Sequence, residues 1–290
     1  MTKNITVRPT TDLKHLLMIR QYYKRAILLL CCTHTGSKYA LFPPEWKIDE
    51  GNVITANKGQ LEIYEWFKHV MEEVADFWNI DSIWHAGDAI DGTQPKNFAE
   101  PLCLPGIDQQ KQCFEALIKP YLMRKGKRRQ FAAISGTGYH DSIDSNTTKD
   151  ICTDLGGKYL GVARNFRISG TSRMVNMIHE INSSIYMAGA LDKQGLMITM
   201  AEAMNKLPKV DIVIRGHLHS FMHIHSTSKH LVLVPGWKAF EPYKQALKSY
   251  GKMQPDIGAV VLLVDDYDRI SVHHYTMDKN PHILDSVMVV

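Results

Sequence analysis

Ala26-Ile27-Leu28-Leu29-Leu30-Cys31-Cys32-Thr33-His34-Thr35-Gly36 is an apolar run that breaks abruptly into a polar stretch. An apolar run without alternation reads as a strand covered on both faces, the pattern of a buried, largely parallel sheet. The polar residues then fall at the strand's carboxyl end, where open α/β sheets build sites. The same pattern recurs twice. Ile83 to Ala86 leads into Gly87-Asp88-Ala89-Ile90-Asp91, and Val210 to Ile214 leads to Gly216-His217-Leu218-His219. Between these stand Gly138-Tyr139-His140-Asp141 and a single His179.

Working outward, the periodicity predicts helices over Gln60 to Trp78 and Ile107 to Lys125, with a strand from Phe131 to Ser135. Alternation of strand and helix argues for crossover units and a parallel inner sheet. After Asp150 come short β-like runs at Tyr159 to Val162, Met174 to Ile178 and Ser184 to Met187, then a helix near Gln194 to Leu207. Phe221 to His225, Leu231 to Val234, Ala259 to Val264 and Ile270 to Tyr275 read as a second sheet closing against the first. Residues 1 to 23 read as an N-terminal extension with one amphipathic piece (Leu13, Leu16, Leu17, Met18), and 24 to 290 as a single domain.

The formal charge of +4 suits an anionic substrate but is far from the footprint of a dedicated nucleic-acid binder. Five irregularly spaced cysteines without a C-x-x-C pair suggest neither a disulfide framework nor a zinc ribbon, which favours a reducing, cytoplasmic setting. Lys24-Arg25 before Ala26 to Cys31 imitates a leader, yet its apolar core is at the shortest limit for one. No run approaches the length that spans a bilayer, and no membrane association is expected.

A hydrolytic two-metal centre needs hard oxygen and imidazole donors, a bridging carboxylate, and ions about 3.5–4 Å apart. Asp88 is the natural bridge. Glycines at 36, 87, 138 and 216 let the backbone turn sharply so that the residues after them converge. The ordered set resembles the calcineurin-like metallophosphoesterase superfamily, whose pattern is D-x-H, G-D-x-x-D, G-N-H-D/E, a lone H and G-H-x-H. The match spans about Ala26 to Tyr275. With the turn from Gly36 to Pro44 and Pro235-Gly236-Trp237, the longer run is similar to phosphoesterases encoded by bacteriophages.

The resemblance implies an α/β fold, a four-layer sandwich of two mixed β-sheets flanked by α-helices. It implies a phosphoester hydrolase with two divalent ions (Mn, Zn or Fe), a phosphodiester, nucleic acid included, being favoured over a monoester. Carried over by position, His34 and His219 hold the first ion with Cys32, His179 and His217 hold the second, and Asp88 lies between. His140 becomes the catalytic imidazole and Asp91 the carboxylate that orients it.

Two positions depart from the pattern. Cys32 stands where the family has Asp, and Tyr139 where it has Asn. A thiolate favours zinc or iron over Mn²⁺, and a phenol ligates hard ions only once ionised. The rival expectation is therefore a catalytically impaired scaffold on the same fold, marked by an exposed apolar patch for which Phe42 to Trp46 is a candidate. The basic run Arg124 to Arg129 precedes the strand that leads to His140, which places it opposite the site. His85 reads as packed, and His223 and His225 as one face of a strand with a third metal as the lesser alternative.

Overall fold

The computed structural model describes residues 22–48, 51–94, 99, 101–141, 147–181, 187–226, 228–239 and 255–278. The amphipathic piece at 13–18 and the β-like run at 184–186 lie outside the described residues.

Strand β1 (Tyr23–Leu30) is followed by a small hairpin, β2 (Glu45–Lys47) and β3 (Val53–Thr55), and by helix α1 (Lys58–His69). A capping box between Asn57 and Gln60 starts α1, and the Gln60 amide also donates to the Ser37 carbonyl at 3.0 Å, tying the helix start to the loop after His34. The helix runs on through a π-helical turn, Val70–Val74, into Ala75–Phe77. Then come β4 (Ser82–His85), α2 (Ile107–Leu122), the hairpin β5 (Met123–Arg124) and β6 (Lys127–Arg128), β7 (Gln130–Ala133), α3 (Thr147–Asp154) and β8 (Lys158–Tyr159). The remaining elements are β9 (Ala163–Arg167), β10 (Met174–Ile178), α4 (Met187–Ala203), β11 (Ile212–Arg215), β12 (Met222–His225), β13 (His230–Leu233), β14 (Gly258–Asp265) and β15 (Ile270–Thr276).

Two mixed sheets form the interior. The first has the order β15-β14-β1-β4-β7-β8, parallel from β1 to β8 and antiparallel across β1, β14 and β15. The second has the order β12-β13-β11-β10-β9, parallel across β13, β11 and β10 with an antiparallel strand at each edge. Strand β1 shows how the layers form. Ala26, Leu28 and Leu30 pack with Phe67, Val70 and Phe114 from the helices, while Ile27, Leu29 and Cys31 pack with Val175, Ile212 and Ile214 from the other sheet. A third cluster seals α4 against the far face of the second sheet through Leu191, Ile198, Val213 and Leu231. The result is helix, sheet, sheet, helix, the four-layer α/β sandwich.

Strands β14 and β15 depart from the expectation: they complete the first sheet rather than the second. Ala259, Val261 and Leu263 face the helices and Val260, Leu262 and Val264 face the other sheet, so β14 is covered on both sides and belongs in a central position. Helix α2 ends at Leu122, short of the expected Lys125, because Met123 is extended and Lys125 and Gly126, both at positive φ, turn the basic residues into the β5–β6 hairpin. Helix α4 covers Met187–Ala203, not Gln194 to Leu207; exposed Leu196, Met197 and Met200 blur its apolar stripe. Strand β9 has only Ala163 and Phe166 as apolar residues, too few for an apolar run to announce it. Phe42 is fully buried with Leu104 and Cys113, and Trp46 packs against them, so Phe42 is not part of an exposed apolar patch.

Arg124, Lys125 and Arg129 converge on Asp76 at 3.2, 2.8 and 2.8 Å at the amino end of β7. Asp76, with Glu72 4.0 Å from Arg124, offsets part of their charge there. Among the described residues no helix is long and apolar enough to cross a membrane.

Leu262→Ala should lower stability by about 2–5 kcal/mol, the range for emptying a fully buried leucine position. Denaturant unfolding reads it; a cost below ~1 kcal/mol would mean that β14 is not a central strand.

Candidate metal centre

The parallel strands of both sheets deliver their carboxyl ends to one place. Beyond β1 and β4 the chains stay paired: Cys32 N–H donates to the Gly87 carbonyl at 2.9 Å, His34 N–H to Asp88 at 3.1 Å and Thr35 N–H to Ala89 at 3.1 Å. From the second sheet, Gly216 N–H donates to the His179 carbonyl at 3.0 Å, which sets the ends of β10 and β11 side by side. Trp237 N–H donates to the Cys32 carbonyl at 3.0 Å and Asp256 N–H to His219 at 2.8 Å, closing the ring from the segments before β14.

Four groups of three donors each draw their ligand atoms within 4.8 Å of one another: Cys31, Cys32 and His179; Cys32, His34 and His219; His34, Asp88 and His140; Asp88, His179 and His217. Seven of the eight residues singled out in the sequence are therefore near neighbours, and the eighth, Asp91, stands behind His34. His34 Nε2 and His219 Nε2 face each other at 3.1 Å, a spacing suited to adjacent ligands of one ion with bonds near 2.1 Å. Asp88 Oδ2 lies 2.9 Å from His179 Nε2 and 3.9 Å from His34 Nε2, between the two histidine sets.

The backbone is bent to make this possible. Cys32, His34, Asp88, His217 and His219 all have left-handed φ, from 44° to 73°. Non-glycine residues held there cost of order 1–3 kcal/mol each and persist only where the surroundings over-determine them. The glycines leave the room: a Cβ on Gly136 would meet Asp88 Oδ1 at 1.9 Å, and one on Gly216 would meet Cys31 Sγ at 2.2 Å.

Charge is set by burial and by neighbours. Burial opposes a charge on His179, but Asp88 foremost, with Cys32 and the Ala86 carbonyl 2.6 Å from Nδ1, outweighs it and raises the imidazole to about 10. Asp88 is likewise disfavoured by burial, yet His179 and the Thr137 N–H at 2.8 Å hold it well below the carboxylate range. His34 is pushed well below its ordinary value by burial and then by His140, Lys238 and His219, which leaves a neutral imidazole. Burial also lowers His217 and pushes the Cys32 thiol well up. The donor set suits borderline divalent ions: imidazoles, of which His34 and His217 are held neutral while His179 ligates only on giving up a proton, one ionised carboxylate, and a thiol that likewise ligates on losing its proton.

Two expected roles change in detail. His140 Nδ1 lies 2.7 Å from the Asp91 backbone carbonyl but 3.8 Å from its carboxylate, so the main chain of Asp91 orients the ring. The Asp91 carboxylate instead meets Lys238 Nζ at 2.7 Å and His34 Nδ1 at 3.0 Å. Tyr139 donates its hydroxyl to Gln94 at 3.1 Å, and Thr137, two residues earlier, supplies the groups that contact Asp88. His223 Nε2 and His230 Nδ1 are 3.0 Å apart in rings inclined by 8°, with His225 stacked on His230. Parallel rings do not converge their lone pairs on one ion. His85 is buried, lowered to about 3 by burial and then by His179, and contacts Thr33 Oγ1 at 3.0 Å.

Sequence reasoning missed Cys31, Gln110 and Lys238. Gln110 braces the turn after Asp88, accepting from Asp91 and Gly92 N–H at 3.1 and 2.9 Å while donating to the Gly92 and Leu104 carbonyls. Nothing in a lone helical glutamine announces this. Lys238 directly follows the Pro235-Gly236-Trp237 signal, which could have drawn notice to it.

No protein-family model matches the chain, and no curated protein matches it. Solved structures do. A single-residue mutant of Vps29 from Entamoeba histolytica is 13% identical over 88% of this chain and 94% of that one, with a TM-score of 0.43. An archaeal phosphodiesterase is 10% identical over 86% of this chain and 99% of that one, TM-score 0.42. Wild-type Vps29 from the same Entamoeba, complexed with Zn²⁺, is 11% identical over 87% and 98%, TM-score 0.37. At these values the likeness assigns no residue, ligand or activity to this chain.

The His179–Asp88 pair gives a pH signature in metal-free protein. Because the folded His179 value of about 10 lies above the ordinary 6.5, its stabilisation is full below pH 6.5 and is lost as pH climbs through 10. Thermal unfolding with chelator present should show that alkaline decline, and His179→Gln should flatten it. An identical decline in the variant would place the titration elsewhere.

Proposed function

We propose that the chain is a metal-dependent phosphoester hydrolase with a two-ion centre, Cys32, His34 and His219 holding one ion, His179 and His217 the other, and Asp88 both. The observation that carries this is the Asp88 carboxylate placed between two histidine sets at the carboxyl ends of two facing sheets. Such ions, when bound, neutralise charge on the transferring phosphoryl group and make water nucleophilic at neutral pH. The thiol of Cys32 directs the first position toward zinc or iron.

The chain's own residues supply the rest. His140 donates Nδ1–H to the Asp91 backbone carbonyl, which leaves Nε2 for the leaving group; as the imidazolium the ring gives its Nε2 proton to the departing oxygen and is left neutral. His34 and His217, held neutral by burial, present lone pairs without first losing a proton. The modest positive charge and the phage-like turn motifs favour a diester, nucleic acid included, as substrate, and the irregularly spaced cysteines favour a reducing, cytoplasmic setting.

A second reading, a scaffold without chemistry, draws on Cys32 and on Tyr139 turned to Gln94. Metal analysis on protein purified without chelator, with bis-p-nitrophenyl phosphate hydrolysis under Zn²⁺, Fe²⁺ and Mn²⁺, separates the two. Asp88→Asn should remove activity and lower metal content together; bound metal with no turnover under any ion would favour the scaffold.

His140→Ala should leave metal content nearly intact and slow hydrolysis by about 10²–10⁴-fold for poor leaving groups, the range for general acid catalysis, with a smaller loss for good ones. Equal losses across leaving groups would remove His140 from the acid role.

A further inference from the structure

Lys238 is a lysine buried almost completely, and its ammonium meets Asp91, itself without solvent exposure, at 2.7 Å. Its place is built by the backbone. Trp237 N–H donates to the Cys32 carbonyl at 3.0 Å, Ala239 N–H to Tyr39 at 2.8 Å, and Lys238 bridges to Ala40. The segment that carries the ammonium is thus strapped to the loop that carries Cys32 and His34.

Asp91 Oδ1, the oxygen that Lys238 holds, is also 3.0 Å from His34 Nδ1 and 3.8 Å from His140 Nδ1. Among the described residues His34 Nδ1 has no aligned hydrogen-bond partner and Asp91 Oδ2 has none at all. Both orphans lie at this junction, so a small rotation of the carboxylate brings Nδ1–H and oxygen into line. The other ring nitrogen of His34 faces His219 and Asp88. A ligating histidine commonly has its second nitrogen fixed by a carboxylate, which selects the tautomer and the ring orientation.

We propose that Lys238 is a positioning residue for the candidate metal centre: it pins the Asp91 carboxylate against His34 Nδ1 and so fixes the proton on Nδ1, leaving Nε2 to bind an ion. This rests on the two-ion reading for its purpose but not for its measurement. A buried carboxylate stripped of its partner is strongly unfavourable and moves or draws in a new one. The ammonium therefore matters through Asp91 and not through any contact with the ions. Removing both charges at once restores the balance, because an amide oxygen at position 91 can still accept from His34.

The test compares Lys238→Met with the double variant Asp91→Asn/Lys238→Met. Histidine side-chain ¹⁵N NMR on metal-free protein should show His34 as the Nδ1–H tautomer in the parent, mixed in Lys238→Met and restored in the double variant. Zn²⁺ titration should show affinity reduced about 10–100-fold in Lys238→Met, the usual cost of losing an outer partner, and mostly recovered in the double variant. Circular dichroism checks folding; should Lys238→Met not fold, the double variant alone must still show the parent tautomer. A parent His34 protonated on Nε2, or a Lys238→Met affinity within threefold of the parent, overturns the proposal, as does a loss that the double variant does not relieve. Parent protein with the expected tautomer and bound Zn²⁺ but no phosphoester turnover would sink the hydrolase reading and leave this one standing.

Discussion

Asp88 is where the two sheets are held to each other in charge as well as in packing. Its residue follows β4 of the first sheet, its Oδ1 accepts from Thr137 beyond β7, and its Oδ2 faces His179 at the end of β10 in the second sheet. The carboxylate is buried and its backbone is left-handed, two costs that only a dense set of partners can offset. Gly136 and Gly87 belong to that set by what they lack. A side chain at 136 would occupy the place of Asp88 Oδ1, and one at 87 would run into His179.

The apolar interior explains why so much strain can gather at one spot. Ile27, Leu29, Val175, Ile212, Ile214, Val260 and Leu262 form a close-packed layer between the sheets, and it fixes the spacing of the strand ends it supports. Cys31 and Cys32 both belong to that layer and both also stand with His179 among the candidate donors, their sulfurs 3.2 Å apart. The left-handed backbone of Cys32 breaks the strand's alternation and brings the two thiols to the same place.

The part of this arrangement that sequence disclosed is the part written locally. Continuous apolar runs ending in Gly, Asp and His revealed β1, β4 and β11 and the polar residues at their ends, because the covering of both strand faces removes alternation. Which sheet β14 joins was not legible: Ala259 to Val264 says that both faces are covered, but not by what, and antiparallel pairing with a strand more than two hundred residues earlier leaves no local mark. Helix α4 was misplaced for the opposite reason, since its exposed leucine and methionines imitate a core face. The role of the Asp91 carboxylate also escaped, because its partner Lys238 reaches it from the far end of the chain. Spacing announces which residue types are present; long-range pairing decides which atoms meet.

Charge balance connects these pieces to the chemistry. Among the described residues the carboxylates that meet candidate ligand side chains are Asp88 and Asp91, with Glu180 acting on His217 through its field, and Asp91 also meets the Lys238 ammonium. The remaining donors are imidazoles, with the single thiol of Cys32 able to contribute one more negative charge on ligation. On the proposed two-ion reading, such a donor set would leave two divalent ions incompletely neutralised among buried residues, where charge is screened least. The proposed phosphoester substrate, an anion, would meet that charge favourably. A cysteine in place of an aspartate preserves it, because a ligated thiolate carries the same charge and alters the softness of the site rather than its sign.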